Sequence, residues 1–124
     1  MRGMILLLAL VSITMSAVAQ VLFKVGMGTA AMREALTAGA AARVARTVVL
    51  SPWIVGGLAL YGLGTVLWLA VLSRAELSQA YPFVGLSFVL TAIFGWLLFH
   101  DALSPSRIAG IAAIVVGVWL VGRS

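Results

Sequence analysis

Residues 52–73 read PWIVGGLALYGLGTVLWLAVLS, a run of 22 residues without a charge. At about 1.5 Å of helical rise per residue this run reaches about 33 Å, enough to cross the roughly 30 Å hydrocarbon core of a bilayer. Two further blocks, residues 3–23 and 77–99, are of similar length and equally free of charge. A fourth, residues 108–122, is only 15 residues long and lies between Arg107 and Arg123. Both arginines can snorkel toward the interface, and Ala102 to Ser106 lend apolar length. The expected fold class is therefore all-α and polytopic. Four transmembrane helices at about 3–24, 52–73, 77–99 and 105–122 form a single four-helix domain over residues 1–124, with a connection at 25–51.

Composition agrees. The chain of 124 residues is 64% hydrophobic and 9% charged, with a mean hydropathy of +1.21. Soluble domains have about 45–50% apolar and about 25% charged residues, so this chain cannot clothe itself for water. Its three acids, Glu34, Glu76 and Asp101, all lie between the blocks. Cysteine is absent, and one histidine, His100, beside Asp101 is too thin a set for a metal; no metal and no cofactor are expected. The net charge of +5 comes from eight Lys/Arg near the block ends, a pattern that reads as anchoring to anionic lipid rather than nucleic-acid binding. Arg2, the run Met4 to Met15 and Ala17-Val18-Ala19 imitate a secretory signal with its cleavage site. The apolar run continues to Lys24, so the first span is expected to be retained.

Four spans put the N-terminus, the 74–76 loop and the C-terminus on one side, and the 24–51 and 100–107 connections on the other. Lys/Arg number three on the first side (Arg2, Arg74, Arg123) and five on the second (Lys24, Arg33, Arg43, Arg46, Arg107), a margin too small to fix orientation. Gly26 and Gly28 read as the end of the first helix. Ala30 to Arg46 reads as a short amphipathic helix with Arg43 and Arg46 on one face. Ser51-Pro52 starts the second span, Tyr81-Pro82 lies at the entrance of the third, and Ser104-Pro105 starts the fourth. Small residues recur at packing intervals: Ala109, Ala113 and Gly117 in the fourth span, and Gly57 and Gly64 with Tyr61 and Trp68 in the second. Four helices enclose little interior, so a dimer, with an identical or related four-span chain, is expected.

Chemistry-bearing residues are few. Ser12, Ser16, Gln20 and Lys24 follow one another at intervals of four, a stripe along one drifting face of the first helix. The serines read as bonded back to helix carbonyls. For Gln20 with Lys24 two readings stand side by side: a transport pathway, or a helix end whose lysine snorkels. Lys24, Arg43, Arg46 and Arg74 could hold a phosphate, against the plainer contact with lipid head groups. Glu76 is placed to pair with Arg74, and His100-Asp101 reads as a solvated helix end. No nucleophile–base pair, phosphate cradle or carboxylate dyad is present, so the chain is not expected to be an enzyme.

Ala80-Tyr81-Pro82, Leu86-Ser87-Phe88-Val89, His100-Asp101, Leu103-Ser104-Pro105, Gly110 and Val115-Val116-Gly117 together resemble the drug/metabolite transporter superfamily. The likeness is greatest to the four-span subunits of the aminoarabinose-phosphoundecaprenol flippase, whose first helix is similar to Ser16-Ala17-Val18-Ala19-Gln20 with Lys24. It implies a bundle like that of the small multidrug resistance transporters, in the cell inner membrane, moving a polyprenyl-phosphate-linked sugar as a paired subunit. Those drug transporters carry a glutamate where, aligned on Lys24, this chain has Ser16. Proton-coupled antiport of cations needs that carboxylate. On this reading Lys24 and Arg46 engage phosphate, with Arg74 a further basic candidate. Gln20 and Ser16 engage the head group, and Tyr81 with Trp68 lines the cavity. Two other readings remain open: a small-solute or drug exporter of the same fold, and a non-transporting accessory subunit.

Overall fold

The computed structural model describes residues 3–124. Arg2, counted above with the first side, lies outside them. The described chain is helical apart from short connections, as α1 (Gly3–Met27), α2 (Ala30–Ala38), α3 (Ala41–Leu50), α4 (Pro52–Leu72), α5 (Leu77–Ala80), a 3-10 turn (Tyr81–Val84), α6 (Gly85–Phe99) and α7 (Pro105–Arg123). Four helical stretches are long and apolar enough to cross a membrane: Gly3–Met27, Pro52–Leu72, Leu77–Phe99 and Pro105–Arg123. The all-α, four-span reading holds. Of the residues thought to lengthen the fourth span, Pro105 and Ser106 join α7, whereas Ala102 to Ser104 stay outside it.

Two spans start on the local signals read from sequence. The Ser51 hydroxyl accepts the Ile54 amide at 3.4 Å, and the Ser104 hydroxyl accepts the Arg107 amide at 3.2 Å, each with proline next in the chain. The third span keeps its expected bounds, but Tyr81-Pro82 does not mark its entrance. Helix begins at Leu77, four residues ahead of Tyr81, and Pro82 instead sits in a 3-10 turn between α5 and α6. Proline has no amide to complete an α-turn, so the chain tightens there and continues.

The connection also differs. One amphipathic helix was expected, and there are two, because Gly39 takes the left-handed conformation (φ 70°) and its amide caps the Leu36 carbonyl. Arg43 and Arg46 lie together in α3 as read.

Helix α1 is central and runs antiparallel to α4, which packs along it. Ile5 and Ala9 meet Val71, Ser12 meets Gly64, Ala19 and Phe23 meet Gly57, and Gly26 meets Ile54. Val71, Gly64 and Gly57 recur every seven residues on α4, the spacing at which two helices can stay in register, and Ile54 follows one turn further on. The glycines set the closeness: a Cβ at Gly57 would stand 2.7 Å from the Phe23 ring and 3.2 Å from the Ala19 carbonyl oxygen. Gly26 therefore lies inside α1, packed on α4, rather than ending the helix. Gly28 alone follows the helix end.

A second side of α1 meets α6, and α7 packs on α6 and the 3-10 turn through Ile114, Val118 and Gly122. The spans thus form a row, α4–α1–α6–α7, with no extended packing of α7 on α1 or α4 among the described residues. A third of α1's apolar window is buried against 6% of α7's. The accessible surface is 7928 Å², whereas a compact monomer of 13.0 kDa exposes about 6,300 Å².

Candidate functional site

The packed core gathers at one end. Ile5, Ala9, Val71 and Ala80 form one cluster, Ile13, Phe83 and Val118 another, and Trp68 packs against both. Toward the far end of α1 the seam with α6 opens into a cavity of about 280 Å³. Gln20, Val21 and Lys24 of α1 face Thr91, Phe94 and Phe99 of α6 across it.

The polar stripe of α1 reaches this cavity only at its last two members. A step of four residues turns about 40° past a full circle, so three steps carry Lys24 about 120° round from Ser12. Ser12 accordingly faces α4, where it is buried and its hydroxyl donates to the Gly64 carbonyl at 2.6 Å. This corrects the expectation for that serine, which bonds to a neighbouring helix instead of its own. Ser16 is half-buried one turn before Gln20, outside the cavity wall. Gln20 and Lys24 are exposed.

Asp101 completes the cavity, a role that sequence reading missed. His100 adopts the left-handed conformation (φ 57°), and the amides of His100 and Asp101 both donate to the Gly95 carbonyl, the second at 3.0 Å. The reversal lays the Asp101 carboxylate over Gly95, where any side chain would collide with it. Sequence reading gave this no weight, since a non-glycine residue in the left-handed region is uncommon, although histidine is among the types enriched there. Lys24 and Asp101 share the cavity, yet among the described residues the ion pair within 4.0 Å is Arg43–Glu34, at 3.8 Å. Glu76 is not within that distance of Arg74. Glu34, Glu76 and Asp101 are all exposed and all outside the four long apolar helices.

The remaining candidates are spread out. Arg46 lines a separate cavity of about 460 Å³ with Arg43 and Trp53. Arg74 belongs to the opposite end, in a depression of about 1010 Å³ shared with Glu76, Gln79 and the C-terminal Ser124. Gln79 Nε2 donates to the Ser124 carbonyl there at 3.4 Å. Tyr81 opens the 3-10 turn with its side chain exposed. The structure therefore unites Gln20 with Lys24, and separates them from Arg46, Arg74, Trp68 and Tyr81.

Helices of this length and polarity, joined in this order, define a small all-α multi-pass membrane protein. Within that class the chain is similar to proteins named as probable 4-amino-4-deoxy-L-arabinose-phosphoundecaprenol flippase subunit ArnE. It is 42% identical to that of Pseudomonas savastanoi over 73 residues, which is 59% of this chain and 64% of that protein. Against the Aeromonas hydrophila protein it is 39% identical over 72 residues, 58% of this chain and 63% of the relative. Against that of Klebsiella pneumoniae it is 36% identical over 72 residues, 58% of this chain and 64% of the relative. The chain thus spans a little under two thirds of the length of these relatives, and over that stretch the resemblance read from sequence is found. No family model matches the chain, and no solved structure does.

Proposed function

We propose that this protein is a transporter rather than an enzyme, a subunit of a flippase that carries a polyprenyl-phosphate-linked sugar across the inner membrane. The observation that carries the reading is the pairing of Gln20 and Lys24 in one open cavity, in a chain whose relatives are named flippase subunits. An ammonium and an amide suit a phosphate and sugar hydroxyls, respectively. The isoprenoid chain stays in lipid beside the open row of helices. No carboxylate lies within the long apolar helices, which speaks against exchange of a proton for a cation there. Asp101 lines the same cavity without pairing with Lys24 within 4.0 Å, which leaves the ammonium open to the incoming phosphate.

The partner on this reading is a second four-span chain, identical or related. The sparsely buried α7, with Ala109, Ala113 and Gly117 exposed, offers it a close approach. Ser16, Arg74, Trp68 and Tyr81 then act at other stages of the passage or hold the fold, and Arg46, in a cavity of its own, is left outside the path. Flux of a labelled polyprenyl-phosphate sugar in proteoliposomes tests the assignment. Losing a charged hydrogen bond to phosphate costs about 1.5–3 kcal/mol, so Lys24→Ala should slow translocation about 10- to 100-fold at unchanged expression. Undiminished flux would remove Lys24 from the site. Proton-driven uptake of quaternary ammonium compounds would instead assign the fold to drug export.

A further inference from the structure

The cavity between the α2–α3 connection and the start of α4 is not used by the transport reading, and its lining is graded. Along α3, Arg43, Arg46, Thr47 and Leu50 fall at i, i+3, i+4 and i+7, the spacing of a single helix face, and all four line it. Arg43 and Arg46 place a pair of fixed positive charges at its outer end, while Leu50, Pro52 and Trp53 make the end next to the membrane span apolar. Leu50 is 68% exposed and Trp53 46% exposed, at the level where α4 enters the bilayer. The Thr47 hydroxyl is already spent on the Arg43 carbonyl at 2.8 Å, so the guanidinium groups are the cavity's free donors on α3. Glu34 approaches Arg43 at 3.8 Å, but both side chains are more than half exposed, and such a pair is worth little. Arg46 is in no ion pair within 4.0 Å among the described residues.

We propose that this cavity, formed by Arg43 and Arg46 above Leu50, Pro52 and Trp53, is a binding site for an anionic phospholipid of the surrounding bilayer. The phosphate lies between the two guanidinium groups, which present planar, paired donors to its oxygens. The first methylenes of the acyl chains lie along the apolar end, and the tryptophan occupies the interface, where its amphipathic ring is at home. Charge outside and hydrocarbon inside, in one cavity of about 460 Å³, match a lipid better than a soluble phosphate, which would leave the apolar half unused. The site stands apart from the Gln20–Lys24 cavity and does not depend on what that cavity transports.

The test is a native mass-spectrometry titration of the full-length protein in detergent with phosphatidylglycerol and with phosphatidylcholine of the same chains. A basic residue near the membrane surface contributes about 1 kcal/mol toward an anionic lipid, and two together about 30-fold in affinity. The wild type should therefore bind phosphatidylglycerol about 30-fold more tightly than phosphatidylcholine. The Arg43→Gln/Arg46→Gln variant should lose that preference, while Arg33→Gln, outside the cavity, should keep it. Glutamine has nearly the helix propensity of arginine, and unchanged circular dichroism confirms intact helices. Equal binding of the two lipids by the wild type would overturn the proposal without recourse to any variant. So would an equal loss in Arg33→Gln, which would mean diffuse attraction. Displacement of the lipid by inorganic phosphate or chain-free glycerophosphoglycerol at matching concentration would assign the site to a soluble anion instead.

Discussion

Replacing Gly57 by valine should loosen the α1–α4 seam, and the geometry fixes how much. The new Cβ would lie 2.7 Å and 2.8 Å from two carbons of the Phe23 ring and 3.2 Å from the Ala19 carbonyl oxygen. Carbon atoms rest about 3.5–4.0 Å apart, so α4 must retreat by about 1 Å or the Phe23 ring must swing away. Swinging the ring leaves the backbone carbonyl in place, and the valine methyls add contacts beyond the Cβ. Overpacking of this kind costs about 1–3 kcal/mol. Gly62 supplies the control, because on the same helix a Cβ there meets nothing within 4 Å. Gly57→Val and Gly62→Val change helix propensity equally, so their difference isolates the seam. Unfolding in mixed micelles, followed by circular dichroism as the mole fraction of dodecyl sulfate rises, gives both stabilities. Gly57→Val should be less stable than Gly62→Val by about 1–3 kcal/mol, and Phe23→Ala in the Gly57→Val background should recover some of the loss through a coupling of about 0.5 kcal/mol or more. Two variants agreeing within about 0.5 kcal/mol, the ordinary error of additivity, would refute the claim that Gly57 sets the distance between these helices.

Two other substitutions probe single bonds. Ser12→Ala removes the donor to the Gly64 carbonyl and should cost about 0.6 kcal/mol, with about 1.7 kcal/mol as the upper bound, in the same micelle titration. Ser104→Ala strips the hydroxyl that caps the Arg107 amide and should destabilise the start of α7 by about 0.5–2 kcal/mol, seen as faster hydrogen exchange at that amide.

The features of this fold that sequence disclosed are those governed by neighbours along the chain. Ser51-Pro52 and Ser104-Pro105 mark helix starts because cap and proline act within one turn, and uncharged runs mark spans because lipid judges each helix by itself. What stayed hidden depends on other helices. Gly26 looked like a terminus, although Ile54 presses on it from α4. Ser12 looked like a member of Lys24's stripe, but the helical drift hands it to a different neighbour. Pro82, for its part, looked like a helix entrance but sits in a 3-10 turn inside the span, whose start at Leu77 the uncharged run did mark. Of the candidate site, Gln20 and Lys24 were legible together, being four residues apart on one helix. Asp101 reached them only through a chain reversal at His100, a left-handed position held by a residue other than glycine.

The central place of α1 has a consequence for biogenesis. This helix leaves the ribosome before either helix that covers it, and Gly64 follows Ser12 by 52 residues, roughly 3–10 s at translation rates of 5–20 residues per second. Until then the serine hydroxyl can satisfy itself on a carbonyl of its own helix, so the young segment waits in lipid with no orphaned donor. Of the four spans, α7 follows the other three in the chain and is the least buried among them.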